Sequence, residues 1–298
     1  LPALKQFCQA RRVVFHEVKM SIKKAGLVMC LFSFTPFLHA QNGFLTHWQQ
    51  RATATQSKQP AWVPPMVTTY VGLIQVFRTD FTRQIAAKQA TTWNYDSSKG
   101  VDIIPWAKTE IDVNLPPYLQ HSAAGAKNGA GDLSFVLKYR ILSGNAGHGN
   151  YVFSAILQGA IPTGSYKNGS TEASIGPAVA AGKGFGRLDL QGTLGATLPT
   201  SDGDTLGRPV VWNTTAQYHL SRYLWPELES NATYFHGGAN DGKSQNFLTP
   251  GLVIGKLPLF GSNRASRLGV AFGAAEQIAT SRFHTYNHGL LFSGRLLF

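Results

Sequence analysis

Residues 187–198 read R-L-D-L-Q-G-T-L-G-A-T-L. Leu188, Leu190, Leu194, Ala196 and Leu198 take every second position, with Gly192 the one interruption, and Arg187, Asp189, Gln191, Thr193, Gly195 and Thr197 stand between them. Successive side chains of a strand point to opposite faces, so the stretch predicts a strand with one apolar and one polar face. At about 3.3 Å per residue it reaches roughly 40 Å, longer than the common globular strand of about 5–6 residues. What the apolar face meets decides the fold.

The pattern recurs. Residues 133–141 set Leu133, Phe135, Leu137, Tyr139 and Ile141 against Ser134, Val136, Lys138 and Arg140. In 151–161 the apolar set is Tyr151, Phe153, Ala155, Leu157 and Ile161. Val210, Trp212, Ala216 and Tyr218 oppose Asn213, Thr215, Gln217 and His219, and the alternation returns at Leu268–Ala274 and Leu290–Phe298. Soluble sandwiches use shorter strands; long ones with charges on the second face fit a closed barrel, apolar outside and polar within. The expected fold is all-β, a transmembrane antiparallel β-barrel of about twelve strands, spanning residues 66–298. Strands are expected at 67–77, 81–93, 101–115, 130–142, 150–162, 174–182, 187–199, 208–219, 223–236, 247–257, 266–279 and 287–298.

Residues 1–40 are read as an N-terminal extension and a signal peptide. Met20 with Lys23 and Lys24 gives a basic start, residues 26–38 are apolar, and Leu38-His39-Ala40 supplies the small residue before a cut expected after Ala40. Residues 1–19 precede the expected initiator Met20. The apolar run falls short of the roughly 20 residues of a helical span. Without a helix that spans lipid, only a closed barrel satisfies every backbone group there. The chain carries 27 Lys and Arg against 15 Asp and Glu; taking away the leader's six bases and one acid leaves 21 and 14, an excess of +7. That excess is spread along the chain, whereas a nucleic-acid footprint would be clustered, so no nucleic-acid partner is expected. Cys8 and Cys30 both fall in the leader, which excludes a disulfide framework or a thiolate metal site in the mature chain.

Residues 41–65, ending in W-V-P-P, are expected to be a loose segment outside the barrel, since two prolines offer no ladder donors. Pro116 and Pro117 are expected to end the strand before them. Trp and Tyr near strand ends, Trp106, Tyr118, Trp212 and Tyr234 among them, read as interfacial girdles. A terminal aromatic, Phe298, on an alternating strand resembles the signal by which bacterial outer-membrane barrels are assembled.

The motifs from residue 100 onward resemble an outer-membrane barrel family named for the meta-cleavage pathway of phenol degradation, whose members are described as transporters. Gly129-Ala-Gly-Asp132 opens a strand, Ala160-Ile-Pro-Thr-Gly164 closes one, and Gly176-Pro177 and Leu198-Pro-Thr200 follow. These motifs are turn chemistry, not catalysis. The resemblance implies a barrel in the bacterial outer membrane and, through the family name, an aromatic or hydrophobic cargo.

A charge facing lipid at mid-depth costs about 2–4 kcal/mol for Arg or Lys, so the alternating polar residues are expected to point inward. The lumen-lining candidates are Glu110, Asp112, Lys138, Arg140, Arg187, Asp189, Gln191, Asn213, Gln217, His219 and Arg295. They either line a conduit or pair across the lumen and fill it. No G-x-S-x-G elbow or H-E-x-x-H is present, and the S-D-G-D and N-D-G loops at 201–204 and 240–242 lack the twelve-residue calcium pattern. No catalytic residue, metal or cofactor is therefore assigned. Passive passage of small molecules is the expected function, with outer-membrane lipid, the barrel-assembly machinery (through Phe298) and a small solute as partners. The alternatives are a closed, filled barrel serving structure or surface interaction, and a lipid hydrolase.

Overall fold

Twelve staves form one antiparallel sheet that closes on itself. The computed structural model describes residues 42–97, 99–259 and 268–298. The expected leader, with Met20, Ala40, Cys8 and Cys30, lies outside the described residues. After helix α1 (Asn42–Gln56) and an irregular stretch come β1 (Val76–Ile85), β2 (Thr91–Asp96 continued by Gly100–Trp106), β3 (Thr109–Asn114 continued by Tyr118–His121) and β4 (Gly129–Ala130 continued by Leu133–Gly144). Then follow β5 (Tyr151–Ile161), β6 (Ser174–Phe185), β7 (Leu188–Ala196 continued by Leu198–Pro199), β8 (Val210–Tyr218), β9 (Leu224–Tyr234), β10 (Ser244–Pro258), β11 (Gly269–Ala279) and β12 (His288–Leu297). Each stave pairs with the next, and β12 pairs with β1 from Val76↔Leu297 to Ile85↔His288, which leaves no open edge. Residues 48–298 make one compact unit; the separate unit before them, 1–47, contributes only the opening of α1 to the described structure.

The period-two reading is visible in the burial. On β7 Asp189, Gln191 and Thr193 are buried while Leu190 and Leu194 are exposed, Leu194 at 48%. On β12 Ser293 and Arg295 are buried and Phe292 is 50% exposed. A soluble protein would cover such a belt. Here no second sheet stacks on it among the described residues, and the belt runs round the whole barrel as lipid contact requires.

Three expectations at the N-terminal side are corrected. Residues 67–75 form no strand, and the first stave begins at Val76 rather than at 66. The stretch 101–115 is a hairpin, β2 turning into β3 at Ala107-Lys108, where Lys108 takes a left-handed φ of 67°. The turn itself, Trp106 to Thr109, holds no Gly, Pro, Asn or Asp, and Pro105 just before it, where the register shifts, is its one sequence mark. Pro116 and Pro117 interrupt β3 without ending it, since pairing resumes at Tyr118↔Ala130 and Tyr95↔Tyr118. The stave count still reaches twelve because the three expected N-terminal strands shift rather than vanish.

The largest correction concerns what precedes β1. The segment 60–75 runs inside the barrel, not outside it. Trp62, Val63, Met66, Tyr70, Val71 and Ile74 are buried in one cluster with inward side chains of the wall, among them Val152, Ile156, Trp225, Val253 and Leu291. Each such side chain contributes roughly 1.5–3 kcal/mol on burial.

Candidate lumenal site

The lumen presents charge to a backbone. Residues 60–75, hereafter the plug, form neither helix nor sheet, so their buried N–H and C=O groups need other partners. Pro64 and Pro65 lack an N–H, which removes two donors from the account. Their carbonyls and that of Met66 accept from two guanidiniums: Arg295 reaches Pro64 through Nη1 and Pro65 through Nη2 at 3.0 Å, while Arg78 reaches Pro65 at 3.0 Å and Met66 at 2.6 Å. The next three N–H groups meet carboxylates. Met66 donates to Glu227 at 3.0 Å, and Val67 and Thr68 donate to Glu229 at 2.8 and 2.6 Å. Cations hold carbonyls and anions hold amides, and such charge-assisted bonds are the strong kind. The prolines that argued against a place in the sheet are what suit this segment to an interior with no ladder.

A second grip lies near the plug's other end. Glu110 and Lys138 sit directly opposite each other on β3 and β4 and form an ion pair, both fully buried. Glu110 also accepts from the Ile74 amide, and Lys138 donates to the Gly72 carbonyl at 3.2 Å. Ser154 donates to Val71 O at 2.8 Å, and Arg140 holds Thr55 O and the Gln59 side chain at 2.7 Å each. From Trp48 onward α1 covers the mouth that carries the short turns: Trp48 Nε1 donates to Ile104 O at 2.8 Å, and Ala52 packs with Leu73 and Ile104.

Each expected lumen residue can now be placed. Glu110, Asp112, Lys138, Arg140, Asp189, Gln191, Gln217 and Arg295 are buried on inward faces, and Asn213 is half-buried on the inward face of β8. Four of them contact the plug or α1 directly: Glu110, Lys138, Arg140 and Arg295. Asp189, Gln191 and Gln217 are joined by 2.9 Å bonds, and Gln217 passes to Glu227 at 2.7 Å, so a relay crosses three staves to the Met66 amide. His219 stacks at 4.1 Å on Trp225 at the short-turn mouth. Arg187 is not in the lumen. It is exposed in the turn between β6 and β7, where Gly186 at φ 63° ends the alternation.

Arg78, Asp80, Asp102, Glu227 and Glu229 were missed. For all but Asp102 the signal was available in V-F-R-T-D-F and W-P-E-L-E-S-N, both of which alternate. Asp102 faces Asp112 across β2 and β3, and with Glu110 their oxygens lie within 4.8 Å, the one carboxylate trio among the described residues that could share an ion. The Lys138 ammonium on Glu110 already supplies a cation there. At the opposite mouth Tyr286 stacks on Phe247 at 4.4 Å and donates to Gln277 at 2.8 Å; burial pushes its phenol up to about 12, which keeps it a donor.

The family described as "Putative MetA-pathway of phenol degradation" matches residues 52–253, from within α1 through the plug to β10. The chain belongs to that family. The match reaches further toward the N-terminus than the strand and turn motifs quoted above, and so includes the plug. Among solved structures, the outer membrane channel from Pseudomonas putida F1 is similar at 13% identity and a TM-score of 0.52, with 80% of this chain and 100% of that one covered, a likeness of fold. Looser likenesses are the NanC porin (9% identity, TM-score 0.46, covering 75% and 98%) and the translocator domain of the autotransporter NalP from Neisseria meningitidis (13%, 0.41, 86% and 95%). No curated protein sequence matches the chain.

Proposed function

We propose that the chain is a bacterial outer-membrane channel for passive movement of small molecules, aromatic or hydrophobic ones in keeping with the family's description, closed at rest by its own plug. One observation carries this reading: the barrel is occupied by a backbone segment, residues 60–75, rather than sealed by side chains of the wall alone. Space also remains on both sides of the plug, about 310 Å³ between α1, Trp62, Tyr70 and Phe298 at the short-turn mouth and about 190 Å³ beside Thr69 toward the other. The apolar belt supports a place in lipid, and the longer connections at 122–128, 162–173 and 200–209 fit an outward-facing end. Phe298 at the end of β12 fits recognition by the barrel-assembly machinery. The filled, structural barrel is favoured by the completeness with which the wall charges are used on the plug.

Conductance and solute uptake in proteoliposomes separate the two readings. The full chain should pass small solutes weakly, and Glu227→Gln/Glu229→Gln, which weakens the hold on residues 66–68, should raise the flux. Silence of both proteins, each folded by circular dichroism, overturns the channel.

A further inference from the structure

Charge is uneven round the lumen: the inward face of β6 carries none, while Asp189 is buried on the neighbouring β7. The groups that hold the plug come from β1, β3, β4, β5, β9, β10 and β12, while the inward face of β6 reads Ser174, Gly176, Ala178, Ala180, Gly182 and Gly184. At the short-turn half this recess is filled, since a Cβ on Gly182 would lie 2.7 Å from the Trp62 ring and 3.0 Å from Val71. At the other half the recess stays open beside Thr69 as the 190 Å³ cavity.

Its lining holds no ionisable side chain. Ile156 and Val211 give apolar walls, Gly176 and Ala178 the floor, and Thr69, Gln158, Thr193 and Asn213 the polar groups. Thr193 is the informative one. The residue is 8% exposed and lines the cavity from the inward face of β7, and its hydroxyl, bonded to no other described residue, is open to the cavity rather than sealed in the wall. A hydroxyl open to the cavity and unused by the protein can donate to or accept from whatever occupies it. A dry cavity of about 150 Å³ holds one benzene, which sets the scale of an occupant here. An isolated charge would find no counter-charge in this lining and would be excluded.

We propose that this cavity is a binding subsite for an uncharged molecule with the bulk of one substituted aromatic ring, offering a hydroxyl or carbonyl to Thr193; in calling the occupant a solute in transit, the proposal rests on the channel reading. Three probes of similar size test it on the full chain in detergent by ligand-observed NMR: phenol, toluene and benzoate. Phenol should bind saturably and benzoate at least about tenfold more weakly. Thr193→Val keeps the shape and removes the hydroxyl; it should weaken phenol roughly five- to tenfold and leave toluene unchanged. Ala178→Leu fills the floor and should abolish binding of both, with circular dichroism confirming the barrel. Unchanged phenol binding in both variants, equal affinity for benzoate, or no saturable phenol binding to the parent chain overturns the subsite. Phenol flux into proteoliposomes, measured in parallel, keeps the two readings apart. Flux that neither variant alters removes the subsite and leaves the channel, while saturable, variant-sensitive binding without flux of any solute removes the channel and leaves the subsite.

Discussion

Lys138 and Glu110 show what a single pair does in this lumen. Alternation alone placed both on the polar face, and the antiparallel register of β3 and β4 makes them direct neighbours. What alternation could not show is their further partners, since Gly72 is 66 residues from Lys138 and Ile74 is 36 from Glu110. Polar parity is a local property of a strand; a bond to an irregular segment elsewhere in the chain leaves no local mark. Removing one member of a buried pair strands the other charge, at a cost of about 3–5 kcal/mol, whereas removing both together is often nearly neutral. Lys138→Met should therefore lower the unfolding midpoint of the detergent-solubilised barrel sharply, and Lys138→Met/Glu110→Gln should recover most of the loss. Equal loss in the single and double variants would show that the pair does not act as a unit.

At the scale of elements, β6 and the plug are built for each other. An inward face of only Ser, Gly and Ala gives the lumen a groove, and Trp62 lies against Gly182 and Gly184, each of whose Cβ positions it would meet at close range. Gly182→Leu should drive Trp62 and Val71 off the wall. The expected result is several-fold faster tryptic cleavage after the exposed Lys58, with larger conductance, while Ala181→Leu on the outward face changes neither. The staves from β5 onward were legible because each alternates cleanly between turns. The plug was not, because W-V-P-P-M-V-T-T-Y-V-G-L-I is apolar without a period, and such a run reads equally as weak strand or loose tail. The hairpin at Lys108 was hidden for a different reason: Ala107 and Lys108 are not turn residues, and Pro105 before them is the one mark. The Asp102–Asp112 pairing disappeared with it.

For the whole molecule the question is whether solutes pass the plug where it stands or only when it moves. The structure offers a way to fix it in place. A Cβ on Gly273 of β11 would lie 2.3 Å from Met66 Sδ, so the two positions are neighbours and a cysteine at each is the pair to test for disulfide formation. Gly273 has no left-handed backbone angle to strain, and both natural cysteines, Cys8 and Cys30, precede residue 41, so the pair would be unique in the barrel. Residue 66 is also the position at which Arg78, Glu227 and Arg295 converge, so a bond there holds the plug at its most heavily gripped point. If passage requires displacement, oxidised Met66→Cys/Gly273→Cys should fall to background flux in proteoliposomes and a reductant should restore it, while neither single variant responds to the reductant. If the oxidised protein carries solute as the parent does, the plug is a fixed lining, and the route runs past it along the small-residue inward face of β6.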